Sequence, residues 1–374
     1  MTATRPLDRM VAFIYAEVVT TDRKMVDSRR IVVAVAAAIE PRWVAAIKAV
    51  DDRLDVRYEP QLLPAAGFPR PGSGIGGSHQ TLDHEFHWKK TLAEAEVVLG
   101  WPQNTPEGLA DLVRNNTGLR WVQATVGDAA SRVGAAGLSA KERDRLQITG
   151  FESILAGQRA AFAMFALLAF TQGLPPLGYP SLGHSAQPEM AELAGQSLLV
   201  VGLGPTGAEV ARLGKAFGMH VLAVTRTGNG QAPNVDQLRP ARFLGDLLPV
   251  SHALVLASPL TEKTRGMIGA GAMSRMRADS VLVNIGHGAV IDEHALVKGL
   301  EHGQPAAAVL DASAAKTLSS GSALRSLSNV FIGPPAAAFS RYGNERLIAV
   351  FTKNLRKYLA GDELVDLLGT PLNY

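Results

Sequence analysis

The 374-residue sequence contains no cysteine. Disulfides, thiol catalysis and thiolate metal sites are therefore excluded, and the composition suits a reducing, cytoplasmic setting. Charge is sparse and nearly balanced: 37 Lys and Arg against 34 Asp and Glu leave a formal net charge of +3. No dense Lys/Arg tract marks a nucleic-acid partner. Residues 1–10 carry Arg5, Asp8 and Arg9 but lack the apolar core that a signal peptide needs. The most apolar segment, residues 160–170, follows Arg159 and is too short to span a bilayer, so it is expected to be a buried helix and not a membrane anchor.

The length favours two domains, each large enough for its own core. Hydrophobic residues make up 47%, charged residues 19%, and there are 37 glycines, the profile of a soluble, Ala/Gly-rich α/β protein.

The most informative stretch begins at Ser197-Leu198-Leu199-Val200-Val201, an apolar run suited to a fully buried parallel strand. It enters Gly202-Leu203-Gly204-Pro205-Thr206-Gly207 directly, a G-x-G-x-x-G framed by strand and helix. Gly202 permits the tight turn, Gly204 lets the backbone approach a pyrophosphate, and Gly207 lets the helix pack close to the sheet. Pro205 suits the first helical turn, whose free N–H groups face the phosphates. Residues 208–217 continue the helix, Gly218 ends it, and residues 220–224 form the next strand. At its tip, where a binder of NAD usually carries an acidic residue, stand Thr225, Arg226 and Thr227. A guanidinium and two hydroxyls suit a 2′-phosphate, so NADP is expected over NAD.

Alternating strands and helices flank this unit. Strands are expected at residues 31–35, 56–58, 95–100, 119–124, 253–256, 281–284 and 307–310, with helices at 41–50, 106–115, 156–172, 270–276, 292–302 and 345–359. The pattern predicts two doubly wound, Rossmann-like parallel-sheet domains, the cofactor domain inserted in a discontinuous substrate domain. Residues 1–155 and 340–374 form the substrate domain, flavodoxin-like with an N-terminal extension, and residues 156–339 the dinucleotide-binding domain. His84 and His87 are spaced to share a helix face near His79, Asp83 and Glu85, but no third ligand is specified; a polar surface helix is expected, not a metal site. Residues 69–77 and 177–192 read as Pro/Gly-bearing loops.

Over roughly residues 93 to 361 the chain resembles the D-isomer-specific 2-hydroxyacid dehydrogenase family. The resemblance lies in Val201-Gly202-Leu203-Gly204, in Ser258-Pro259-Leu260-Thr261-Glu262-Lys263-Thr264-Arg265-Gly266, and in Val283-Asn284-Ile285-Gly286-His287-Gly288 followed by Val290-Ile291-Asp292. It implies a homodimer acting on a small-molecule substrate. Thr206 and Gly207 would touch the pyrophosphate and Thr225 to Thr227 the adenosine ribose. Ser258, Pro259 and Thr264 would line the middle of the cofactor, and Ile285, Gly286 and His287 with Asp311 its nicotinamide end. Thr125, Val126 and Gly127 would offer backbone N–H groups to the substrate carboxylate.

The catalytic positions depart from the family. Where the family places an arginine, a glutamate and a histidine, this chain has His287, Lys316 and Pro335. A proline side chain has no proton to give to the alkoxide that hydride transfer leaves. Two readings follow. In one, the site is rebuilt: His287 donates the proton, Lys316 holds an anionic group or polarises a carbonyl, Arg341 and Tyr342 stand nearby, and a carbonyl or imine of a carboxylate-bearing molecule is reduced. In the other, the chain binds NADPH without catalysis, as a sensor or scaffold.

Overall fold

The computed structural model describes residues 29–62, 82–127, 129–173, 191–315, 318–333 and 342–368. Two parallel sheets organise them. The first joins β1 (Ile31–Val35), β2 (Leu54–Arg57), β3 (Val97–Leu99), β4 (Trp121–Gln123) and β5 (Gln147–Thr149) in the order β2-β1-β3-β4-β5. Its crossovers carry helices α1 (Pro41–Lys48), α2 (Leu82–Glu94) and α3 (Pro106–Asn115). Helix α4 (Glu152–Thr171) leads into the second sheet. There β6 (Ser197–Val201), β7 (His220–Thr225), β8 (Gln237–Pro240), β9 (Ala253–Leu256), β10 (Val281–Asn284), β11 (Ala307–Leu310) and β12 (Val330–Ile332) adopt the order β12-β11-β10-β9-β6-β7-β8. Helices α5 (Pro205–Ala216) and α6 (Glu293–Glu301) belong to this unit, and α7 (Gly343–Ala360) follows it.

The expected α/β architecture with two doubly wound sheets is the one observed. Strands β1, β9, β10 and β11 coincide with their apolar runs because both faces of each sheet are covered. Along β6, Leu198 and Val200 enter one core cluster while Leu199 and Val201 enter the other. Strands β8 and β12 were not foreseen. Both are edge strands, paired on one side and no more than partly buried along the chain, so neither needs a continuous apolar run.

The expectation that the 160–170 segment is too short to span a bilayer needs correction. Helix α4 has 20 residues and is, by length and composition, long and apolar enough to cross a membrane. It extends toward the N-terminus beyond the apolar run because Glu and Arg are good helix formers and an acidic residue suits the first turn, where Glu152 stands; the two side chains also pair with each other. More than half of its most apolar window is buried, and it packs on α5 and β10, as a core helix does. Ile154 and Leu155 belong to the core of the first sheet, whereas Ala160, Ala163 and Met164 belong to that of the second. One helix thus ties the two cores together.

Helix α7 packs against α1, and its Phe351 ring stacks on Trp121 of β4 at 5.0 Å. Fully buried Asn354 closes the C-terminal segment: its Nδ2 donates to the Val365 carbonyl at 2.9 Å and its Oδ1 accepts from Val365 N–H at 2.8 Å. Asn354→Ala leaves both backbone groups without these partners and is expected to cost about 1–3 kcal/mol, read as a lower urea midpoint with an unchanged m value.

Of the histidines weighed as metal ligands, His79 lies outside the described residues. The ring of His87 stands 3.5 Å from a Glu59 carboxylate oxygen. Loop residues 69–77 and connector residues 177–190 also lie outside them, as do residues 1–28 of the N-terminal extension.

Candidate active site

The strand order of the second sheet reverses between β6 and β9, so the crevice beyond their carboxyl ends is where a ligand of this fold binds. The glycine turn stands there, and each glycine has a separate physical reason. Gly202 adopts φ +94°, and a Cβ on it would lie 2.9 Å from Cα of Ser258, two residues beyond β9. Gly207 supports the close approach of α5 to the turn: a Cβ there would lie 1.8 Å from the Gly202 carbonyl oxygen. Gly204 has an ordinary φ of −65° and no described residue within 4 Å of its Cβ position. Its missing side chain therefore serves no contact among the described residues; it leaves an open face at the N-terminus of α5, where Pro205 begins the helix and Thr206 is buried. This is the cradle that a pyrophosphate fits.

The opposite wall comes from the loop after β9. Thr261 and Thr264 lock it: Thr264 Oγ1 donates to the Pro259 carbonyl at 2.8 Å and accepts from Thr261 N–H at 2.7 Å. Ser258 is buried, and its Oγ has no hydrogen-bond partner among the described residues, a polar group held ready in the crevice. At the tip of β7, Thr225 Oγ1 accepts from Gly228 N–H at 3.0 Å and Thr227 Oγ1 from Asn229 N–H at 3.4 Å. Each hydroxyl keeps its proton for an outside acceptor, and exposed Arg226 lies between them.

Beyond β10, fully buried Asn284 shapes the turn of residues 285–287. Its Oδ1 accepts from Gly286 N–H at 3.0 Å and its Nδ2 donates to the His287 carbonyl at 3.3 Å. Ile285 is buried in the core, so it can meet a cofactor through its backbone alone. Asp311 is fully buried just after β11, where its N–H donates to the Asn284 carbonyl at 2.9 Å. His287 is exposed, and its Nδ1 accepts from Ala289 N–H at 3.2 Å. That bond assigns the tautomer: the proton sits on Nε2. Partial desolvation, reinforced by the Arg265 charge, holds the imidazole below its usual pKa of 6.5.

The loop expected to hold a substrate carboxylate follows β4 of the first sheet. Thr125 Oγ1 donates to Asn104 Oδ1 at 3.3 Å, and Asn104 itself takes a left-handed φ of +51°. Gly127 faces α4: a Cβ there would lie 3.1 Å from both Arg159 Nη2 and Leu155 Cδ1. Lys316, Pro334, Pro335 and Arg341 lie outside the described residues, and Tyr342 is exposed ahead of α7. Sequence reasoning missed Asn284 and Arg159 as site-shaping residues. Asn284 carried a signal, a polar side chain closing an otherwise apolar strand; Arg159 carried none beyond its charge in an apolar helix.

Residues 181–337 match the D-isomer specific 2-hydroxyacid dehydrogenase, NAD binding domain. A glyoxylate reductase of Aeropyrum pernix is 36% identical over 170 residues, which cover 46% of this chain and 50% of that protein. A glyoxylate reductase of Thermococcus gammatolerans is 33% identical over 183 residues, 48% of this chain and 52% of that one. The chain thus spans about half the length of the curated relatives it matches. Among solved structures, a D-isomer specific 2-hydroxyacid dehydrogenase family protein of Aeromonas salmonicida covers 91% of this chain and 99% of its own, with a TM-score of 0.68 at 22% identity, a likeness of fold. Over residues 181–337 the chain thus carries a domain similar to the NAD-binding domain of the D-isomer-specific 2-hydroxyacid dehydrogenases.

Proposed function

We propose that the chain is an NAD(P)-dependent reductase, preferring NADPH, that reduces the carbonyl of a small 2-oxo carboxylate such as glyoxylate. The carrying observation is the crevice at the β6/β9 switch point, with an open cradle at Gly204 and the unpartnered Ser258 hydroxyl opposite. The glyoxylate reductases that share the NAD-binding half supply the substrate class. The nicotinamide, when bound, supplies the hydride. Gly204, Pro205, Thr206 and Gly207 hold the pyrophosphate, Ser258, Pro259 and Thr264 the middle of the cofactor, and the backbone at 285–286 with Asp311 its nicotinamide end. Residues 125–127 receive the carboxylate. His287 Nε2–H donates to the substrate carbonyl oxygen and stabilises the developing alkoxide, whose proton comes from solvent. Lys316 is retained as a further cationic group in this assignment. The imine alternative differs only in the atom that His287 addresses.

The same reading places a substrate domain at residues 1–155 and 340–374 and a cofactor domain at 156–339; separate hydrophobic cores support this division. It also takes the chain as a cytoplasmic homodimer, for which Phe165, 44% exposed on the apolar helix α4, offers contact surface.

A titration with NADPH and NADH, followed by glyoxylate-dependent NADPH oxidation, tests the assignment. Tight NADPH binding with turnover is expected; binding without turnover on a panel of 2-oxo acids favours the sensor reading, and absence of binding removes both. For the 2′-phosphate, Arg226→Ala is expected to weaken NADPH roughly 10- to 100-fold, the loss of charge-assisted hydrogen bonds, while NADH changes little. Equal losses for the two cofactors would remove Arg226 from the 2′-phosphate site.

A further inference from the structure

The substrate loop lacks an arginine partner at position 287, yet a guanidinium reaches it from elsewhere. Arg159 sits on α4 with its side chain only 12% exposed, and its Nη1 pairs with Glu152, itself 41% exposed. Its Nη2 approaches the Gly127 backbone so closely that a Cβ on Gly127 would sit 3.1 Å away. No left-handed φ is recorded for Gly127, so close approach rather than backbone conformation is the reason for glycine there. Arg159 Nε is buried without a hydrogen-bond partner among the described residues. A charged group with an unmet, buried donor is costly to keep, and one carboxylate from Glu152 does not satisfy it.

We infer that Arg159 is the anion-binding residue for the substrate carboxylate and selects 2-oxo acids over uncharged carbonyl compounds. The inference rests on the reductase reading given above. The substrate carboxylate takes the place of Glu152 on the guanidinium, while its other oxygen meets the N–H groups of residues 126–127. Glu152 is thus an internal stand-in: it neutralises Arg159 until substrate arrives and competes with substrate for it. A planar guanidinium suits this exchange because it meets carboxylates with two parallel hydrogen bonds in a fixed geometry. Helix α4 also contributes to both cores, so an anion held at Arg159 lies at the junction of the two sheets.

Oxamate, a 2-oxo carboxylate in which an amide nitrogen replaces the aldehyde hydrogen of glyoxylate, is the probe, titrated calorimetrically into the full-length protein with and without saturating NADPH. Arg159→Gln is expected to weaken oxamate roughly 10- to 100-fold, the loss of hydrogen bonds to a charged group, with Arg159→Lys between it and the wild type. Glu152→Gln, which removes the competing carboxylate, is expected to tighten oxamate several-fold. Oxamide, the uncharged analogue, should respond to none of these substitutions, and NADPH affinity should stay at the wild-type value. A purely structural role for the pair would lower the unfolding midpoint in both variants and would not move oxamate in opposite directions. Wild-type oxamate affinity in Arg159→Gln, or no oxamate binding to the wild type in either condition, overturns the inference. The reductase reading is judged separately, by wild-type NADPH binding and glyoxylate turnover.

Discussion

Gly207→Ala is expected to lose both fold stability and cofactor binding. The new Cβ would lie 1.8 Å from the Gly202 carbonyl oxygen and 3.3 Å from Val200 Cγ1, so α5 has to move away from the turn. Neither obstacle can yield cheaply: one is backbone and the other lies on a strand buried on both faces. Overpacking of this kind typically costs about 1–3 kcal/mol. The displacement also carries the free N–H groups at the start of α5 off the pyrophosphate. Losing two charge-assisted bonds weakens NADPH by roughly 100-fold or more.

Gly204→Ala is the informative contrast. No described residue lies within 4 Å of its Cβ position, and its φ of −65° suits any residue. Its unfolding midpoint should match the wild type while NADPH affinity falls, because the methyl occupies the place of the pyrophosphate. Paired melts and NADPH titrations of the two variants decide the matter. Wild-type NADPH affinity in Gly204→Ala would show that the cofactor does not cross this turn.

His287→Ala is expected to lower the turnover number for glyoxylate reduction by roughly 100-fold or more, the usual loss when one donor to a developing oxyanion is removed. NADPH affinity should remain near the wild-type value. The pH profile separates two ways in which His287 can act. Burial, helped by Arg265, lowers its pKa from 6.5, so the neutral ring predominates above that pH. A neutral Nε2–H donor gives a turnover number that does not fall between about pH 6.5 and 8 on account of His287. An imidazolium acid would instead make the rate fall about tenfold per pH unit over that range, because the protonated form is depleted. The Ala289 N–H bond to Nδ1 favours the first, since protonating Nδ1 would set two donors against each other. Linkage has a definite sign as well: with the folded pKa depressed, the unfolded chain binds its proton first, so the His287 contribution to stability is lost as pH falls below about 6.5. A tenfold decline per unit above pH 6.5 that vanishes in His287→Ala would assign the imidazolium role.

By itself, the sequence determined the βα alternation, because strands buried on both faces require uninterrupted apolar runs such as Ala253–Leu256. It also determined the glycine turn, since strand, turn and helix are contiguous and the function of each glycine is local. Edge strands β8 and β12 escaped because an edge tolerates polar residues, and the full length of α4 escaped because its N-terminal part carries Glu152, Ser153 and Arg159 outside the apolar run. Tertiary structure alone decided that Arg159 meets Gly127, that Ser258 packs against Gly202, and that His287 turns its Nδ1 toward Ala289 and keeps its proton on Nε2. The first two are contacts between segments far apart in the chain, and no periodicity or spacing encodes which side chain a distant backbone will approach. The last depends on a hydrogen bond set by the turn that Asn284 holds, and a residue's protonation state follows its surroundings rather than its name.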